Sequence, residues 1–355
     1  CTEWTNYSGA ACAIARSTDT AVSDAAILIN CRDSAYCRVL EGTGLEDIAV
    51  WINPADVSET GDPYGVFGKY DLPIQTGGQI ALAKKMQLFW HGRTGASCVA
   101  IGNSPTYYGF DPHGCNNFVT LNMGWPQSSI GTSITVALQY VLPHAPRLKA
   151  IVLDLDAGYF DIDCRTAKPL LTGLFDSEGY QLDSANGFYR SGLPQEVVAK
   201  AAAFDPATWK PVDSSGALPA DSFSGFGWGQ PIIESRGYSI DDSVVRANIR
   251  FLQVLIDSAA VHGVTVLAVN YPQNPAYRTT EMLGRAGPTR ATFTQLVAIL
   301  REMEQRTTNF HFYDANNNGE HDYSDNEAFD TNHLNPRGGL KLAARVDSVL
   351  LSVVK

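Results

Sequence analysis

The chain has 355 residues and a mass of 38.4 kDa, with 45% hydrophobic and 18% charged residues, 31 glycines and 18 prolines. That apolar content fills a core and excludes a disorder-like composition, and the length suits one large α/β domain with an appendage. A formal net charge of -11 and a pI near 5.0, without any run of Lys or Arg, count against nucleic acid and anionic membrane surfaces as partners.

In chain order, Cys1 comes first. As a first residue it resembles the lipid-bearing cysteine of a mature bacterial lipoprotein, although a chain cut at an arbitrary cysteine starts the same way. The cysteines at 1, 12, 31, 37, 98, 115 and 164 fit no CxxC metal pattern, and their odd number leaves Cys1 as the natural spare. An exported, oxidising location is expected, extracellular or at a bacterial cell surface, with Cys31 and Cys37 a plausible local pair. No apolar stretch reaches the ~18 residues that span a bilayer, so no transmembrane segment is expected.

Residues 1–65 are rich in Thr, Ser, Ala and Asp, with short β-like runs at 26–29 and 48–52, and are expected to form a β-rich appendage. Residues 66–355 are expected to form the main domain. A helical pattern over 77–90 leads into an apolar run at Cys98, Val99, Ala100 and Ile101. Strands are then expected at 118–122, 150–153, 264–269 and 310–313, with helices at 128–142, from Asp241 to a stop at Gly263, at 290–305 and at 338–353. Short apolar runs separated by helices predict a five-stranded parallel sheet covered on both faces, the doubly wound, flavodoxin-like α/β/α class. In such sheets ligands bind beyond the carboxyl ends of the strands.

Gly102-Asn103-Ser104-Pro105 follows the first of these strands. Asp330-Thr331-Asn332-His333 precedes the last helix. Both segments fall on the same sheet edge, so the three groups can meet. A serine hydroxyl is a weak nucleophile that needs an imidazole within hydrogen-bond reach and a carboxylate to fix the imidazole's tautomer. Alone, a Ser-Pro turn or an Asp-x-x-His cap is commonplace; their joint placement at the first and last strand ends singles them out.

Gly-Asn-Ser after strand one, a glycine after strand two and Asp-x-x-His before the last helix together resemble the SGNH (GDSL-like) serine hydrolase superfamily. The runs VAIGNSPTYYGFDP, NYPQNPAYRTTEMLGRAGPTR and FYDANNNGEHDYSDNEAFDTNHLNPRG further resemble a group of exported proteins of fibre-degrading bacteria, over roughly residues 65–355. The resemblance implies Ser104 as nucleophile, His333 as base and Asp330 as its orienting partner. It also implies oxyanion donors from the backbone N–H of Ser104 and of Gly124, which is followed by Trp125 as a candidate pocket residue. The superfamily's asparagine after strand three is missing. Asp154-Leu155-Asp156-Ala157-Gly158 stands there, and a carboxylate at Asp156 would repel an oxyanion, so Asn270 after strand four is the candidate third donor.

The loop after strand five offers oxygen ligands at Asp314, Asn316, Asn318, Glu320, Asp322 and Asp325, with Gly319 at the turn position, a spacing of EF-hand type. The alternative is an Asx-rich turn without metal. Calcium there would be structural, and no cofactor is expected for the chemistry. An insertion at 157–240, rich in aromatics, is expected near the active edge as a lid, a sugar-stacking wall or a mini-core. The resemblance implies an esterase removing acyl groups, acetate foremost, from plant polysaccharide. The alternatives are a lipase or polyester hydrolase, a glycan acyltransferase, or a catalytically weak, lipid-anchored glycan-binding protein.

Overall fold

The structure, a computed structural model, describes five short strands within residues 3–52, residues 85, 88–89, 92–126, 128–155, 157–162, 212–219, 227–229, 231–232, 237–285 and 287–354. The chain divides into two compact units, Cys1–Gln75 with Thr172–Phe204, and Thr76–Leu171 with Asp205–Lys355. The first contains β1 (Glu3–Asn6), β2 (Ala13–Arg16), β3 (Ala25–Ala26), β4 (Ile29–Cys31) and β5 (Trp51–Ile52). They form a three-stranded sheet, β1-β2-β4, and an antiparallel β3-β5 pair. Cys1, Cys37 and most of the aromatic insertion lie outside the described residues, as does any pairing of Cys31.

The second unit is built on β6 (Cys98–Ile101), β7 (Thr120–Asn122), β8 (Ala150–Asp154), β9 (Thr265–Asn270) and β10 (Phe310–Asp314). All pair in parallel, in the order β10-β9-β8-β6-β7. Counted along the chain this is 2-1-3-4-5, the flavodoxin-like doubly wound order. β6, β8 and β9 are buried at every position. Sheets covered on both faces demand this, and it is why these strands read as continuous apolar runs.

Alternate residues serve opposite faces. Cys98, Ala100, Val152, Leu267 and Val269 pack with Leu342, Ala343, Val346 and Leu350 of the last helix, α5 (Pro336–Val353). Helix α2 (Ile130–Val136, continued by a π-helical stretch Ala137–Val141 and by Leu142–His144) packs against α3 (Ser243–Val261). Helix α4 (Arg290–Arg306) packs on β10. Each fully buried Val, Leu or Ile contributes roughly 1.5–3 kcal/mol, so these apolar strands fix the layer order. The ladder pairs Ile101 with Leu153, Asp154 with Val269 and Asn270 with Asp314, bringing the carboxyl ends of the central strands level. Among the described residues no helix is long and apolar enough to cross a membrane.

One element escapes the sequence pattern. Helix α1 (Ser104–Gly109) begins directly after β6, with Pro105 in its first turn and Gly109 at its end. Six residues with a proline and a glycine carry no readable 3.6-residue period, although proline at a helix start is itself favourable.

Candidate active site

Strand order reverses between β6 and β8, and the crevice at that switch point is where the first loop delivers its chemistry. Gly102 ends β6. A Cβ there would fall 2.2 Å from both Asp154 Cβ and Thr106 Oγ1, so only glycine lets the strand end pass this close to β8. Ser104 follows, half-buried at the first turn of α1, whose opening amides have no intrahelical acceptor.

The other half of the site comes from a loop closed by an antiparallel bridge between Ala328 and Leu334. Phe329 N donates to His333 O at 2.8 Å. Asp330 Oδ1 accepts from the backbone N–H of Asn332 and His333 at 2.9 and 3.0 Å. Asn335 caps α5 by accepting from Gly338 N at 3.1 Å. Close approach of α5 to α1 fixes the distance between the halves: a Cβ on Gly339 would sit 3.0 Å from Gly109 C and 3.2 Å from Asp111 N.

The three singled-out side chains meet. His333 Nε2 lies 2.8 Å from Ser104 Oγ, and His333 Nδ1 lies 2.9 and 3.0 Å from the two oxygens of Asp330. His333 is only 7% exposed. The edge of the Tyr108 ring packs on its imidazole at a centroid distance of 5.1 Å, with Phe329 at 6.4 Å. Burial pushes the Asp330 carboxyl up, but its hydrogen bonds to His333 and Asn332 and the charges of His333 and Arg285 bring it below the ordinary carboxylate range. An ionised Asp330 places the Nδ1 proton toward itself and leaves Nε2 free to accept from Ser104, the arrangement that activates a serine.

The expected oxyanion donors are placed less simply. The Gly124 N–H donates to Asn122 Oδ1 at 2.8 Å, so this amide is committed within the fold and is not offered to a substrate. Trp125 is 1% exposed, its amide donating to Gly102 O at 3.1 Å, so it is a core residue and does not line the cleft. Asn270 does border the cleft, but one N–H of its amide goes to Asp314 Oδ1 at 2.8 Å. Asp156 lies outside the described residues. Ser104 opens helix α1, whose first-turn amides have no intrahelical acceptor.

Sequence reasoning missed several neighbours. Thr106 Oγ1 is 3.2 Å from both Asp154 Oδ2 and Tyr271 Oη, closing the floor beneath helix α1. Burial, then the charge of Asp154, push the Tyr271 phenol well above its ordinary value, so it stays protonated. An acidic residue ending an otherwise apolar strand was the available signal for Asp154. Beside the triad opens a cleft lined by Pro105, Asp154, Asn270, Gln273, Arg285 and Asn332, among others. Asn332 Nδ2 approaches His333 Nε2 at 3.3 Å.

The acidic loop after β10 folds as a hydrogen-bonded turn. Asn317, Asn318 and Gly319 have φ of 45°, 58° and 83°, a left-handed run that Asn and Gly tolerate best. Asp314 Oδ1 accepts from Asn270 and from Asn317 N at 3.1 Å, Asn316 Oδ1 from Gln273 N at 2.9 Å, and Asn318 Oδ1 from Arg290. Glu320 O accepts from Asn317 Nδ2 at 3.4 Å. Asp322 faces Arg345 at 2.6 and 2.7 Å, which holds its carboxyl far below the usual range, and Asp325 Oδ1 accepts from Trp228 N at 2.7 Å. The six oxygen-bearing residues thus each hold a hydrogen-bond or ion-pair neighbour of their own. Among the described residues no group of three or more His, Cys, Asp or Glu side chains converges as a metal site requires. Cys98 and Cys115 are free thiols, and burial pushes both up.

Fold and site together define a doubly wound α/β protein with a Ser-His-Asp constellation at the carboxyl edge of its sheet. No protein-family model matches the chain, and no curated protein matches it.

Proposed function

We propose that the chain is a serine ester hydrolase of the SGNH type, acting on acylated polysaccharide and removing small acyl groups such as acetate. The observation that carries this reading is the continuous hydrogen-bonded chain Ser104 Oγ to His333 Nε2, and His333 Nδ1 to Asp330, at 2.8 and 2.9 Å. His333 takes the proton as Ser104 Oγ attacks the ester carbonyl, and the Ser104 N–H stabilises the developing oxyanion. His333 then protonates the departing alcohol. Water, deprotonated by the same imidazole, releases the acid and restores Ser104.

Asn270, Gln273, Arg285 and Asn332 give the cleft polar groups for a hydrated sugar, beside the apolar Pro105, Ala157 and Leu283. A serine-directed phosphonate is expected to label Ser104, and Ser104→Ala to lower turnover of p-nitrophenyl acetate by roughly a thousandfold or more with the fold retained. Turnover persisting within about tenfold would assign the nucleophile elsewhere. A preference for acetate over longer acyl esters is expected; the reverse preference indicates a lipase.

A further inference from the structure

We infer that Arg285 selects substrates whose alcohol part carries a carboxylate next to the scissile ester, as an acylated uronic acid does. The inference rests on the esterase reading and names the substrate class for that same site.

Arg285 stands on a turn built to hold it. Met282 and Thr289 pair as an antiparallel bridge, Leu283 N donates to Pro288 O at 3.0 Å and Gly287 N to Gly284 O at 3.4 Å. The turn rests on the Gln273 side chain so tightly that a Cβ on Gly284 would come within 2.7 Å of Gln273 Oε1. The guanidinium at its tip is exposed and borders the cleft. Its one hydrogen bond among the described residues runs from Nη1 to Asn332 Oδ1, at 3.3 Å. No carboxylate among the described residues is hydrogen-bonded to it, although its charge is felt by Asp330.

Position supplies the direction. Asn332 bridges Arg285 and His333, its Oδ1 toward the guanidinium and its Nδ2 3.3 Å from His333 Nε2. Nε2 is the atom that hands its proton to the leaving alcohol, so groups flanking Nε2 border the alcohol part. One amide side chain separates Arg285 from that point. The remaining N–H groups of the guanidinium fork match the two oxygens of a carboxylate. Asp154, the acidic residue lining the cleft among the described residues, is 2% exposed and bonded to Thr106, so its charge lies at the floor, away from the exposed guanidinium at the rim.

The test compares the acetyl esters of a methyl glucuronide and a methyl glucoside, sugars that differ by a carboxylate in place of a hydroxymethyl group. Wild-type protein is expected to favour the charged ester in kcat/KM by about tenfold or more. Arg285→Met should bring that ratio to about one, Arg285→Lys should retain part of it, and added salt should weaken it. Arg285 also touches Asn332, but disturbing the triad through Asn332 lowers both esters together and leaves the ratio intact. A wild-type ratio near one, or a ratio unmoved by Arg285→Met, overturns the inference. Calorimetry with methyl glucuronide, which needs no turnover, gives an independent reading: binding by wild type and loss in Arg285→Met support it, and no binding by wild type overturns it. Failure of the phosphonate to label Ser104 overturns the esterase reading separately.

Discussion

Asp330 shows how one oxygen atom sets the state of the whole site. Its carboxylate accepts from two backbone amides and from His333 Nδ1, so the imidazole proton has one place to sit. Asparagine at this position can keep the backbone contacts through its carbonyl oxygen. Its NH2 then faces Nδ1, which must become the acceptor, and the ring proton moves to Nε2, where it meets Ser104. Asp330→Asn is therefore expected to fold and to lose roughly a thousandfold or more in kcat, with a lowered melting temperature at neutral pH, where the ionised carboxylate contributes stability. A variant within about tenfold of wild type would show that the carboxylate does not set the tautomer. For the Asp330 carboxyl the sign is the usual one: held below its unfolded value, it stabilises the fold above that value, and this contribution is lost as pH falls through the lowered one.

Among the elements, the segment before β6 holds the least expected residue. Lys85 is fully buried, and its ammonium reaches Asn122 O at 2.8 Å, Gly216 O at 2.7 Å and Asn122 Oδ1 at 3.3 Å. Asn122 in turn donates to Thr106 O at 2.8 Å and Phe110 O at 2.7 Å, and so ties β7 to helix α1 and the residue that follows it. Burial lowers Lys85 from 10.5 to about 7 against the opposing pull of Asp213. Between those values the unfolded chain holds a proton that the folded chain releases, so stability from this group rises with pH from about 7 toward 10.5. Melting curves at successive pH values are expected to climb more steeply for wild type than for Lys85→Met. Parallel curves would remove Lys85 as the source. The apolar positions of 77–90 made a helix legible, and Lys85, Leu88 and Phe89 are helical, but nothing in the period announces a lysine turned inward. β6, β8 and β9 were legible because burial on both faces leaves no polar alternation to obscure them. Helix α1 was not, since its place is set by β6, Gly102 and α5 and not by its own periodicity.

At the scale of the molecule, the sheet order explains why residues far apart in sequence could be grouped on paper. Any alternation of buried strands and helices puts strand ends on one edge, and Ser104, Asp330 and His333 were legible by that rule alone. What the rule cannot supply is which atoms are already spoken for. Gly124 N–H belongs to Asn122, Asp322 to an arginine 23 positions away on α5, and Arg285 to a turn whose partner Gln273 sits on another loop. Each commitment is a long-range contact invisible to local spacing. Ser104 and His333 lie 229 positions apart, one leaving the ribosome early and the other late. Only docking of α5 against α1 joins them, so the growing chain carries a serine that has no base. On the proposed esterase reading, turnover arrives only with the last step of assembly, and regained turnover in a refolding experiment is expected to track the slowest structural phase, never to precede it. A chain ending before Pro336 should keep Ser104 and yet remain unlabelled by the phosphonate, because competence arrives with the clasp that closes the fold.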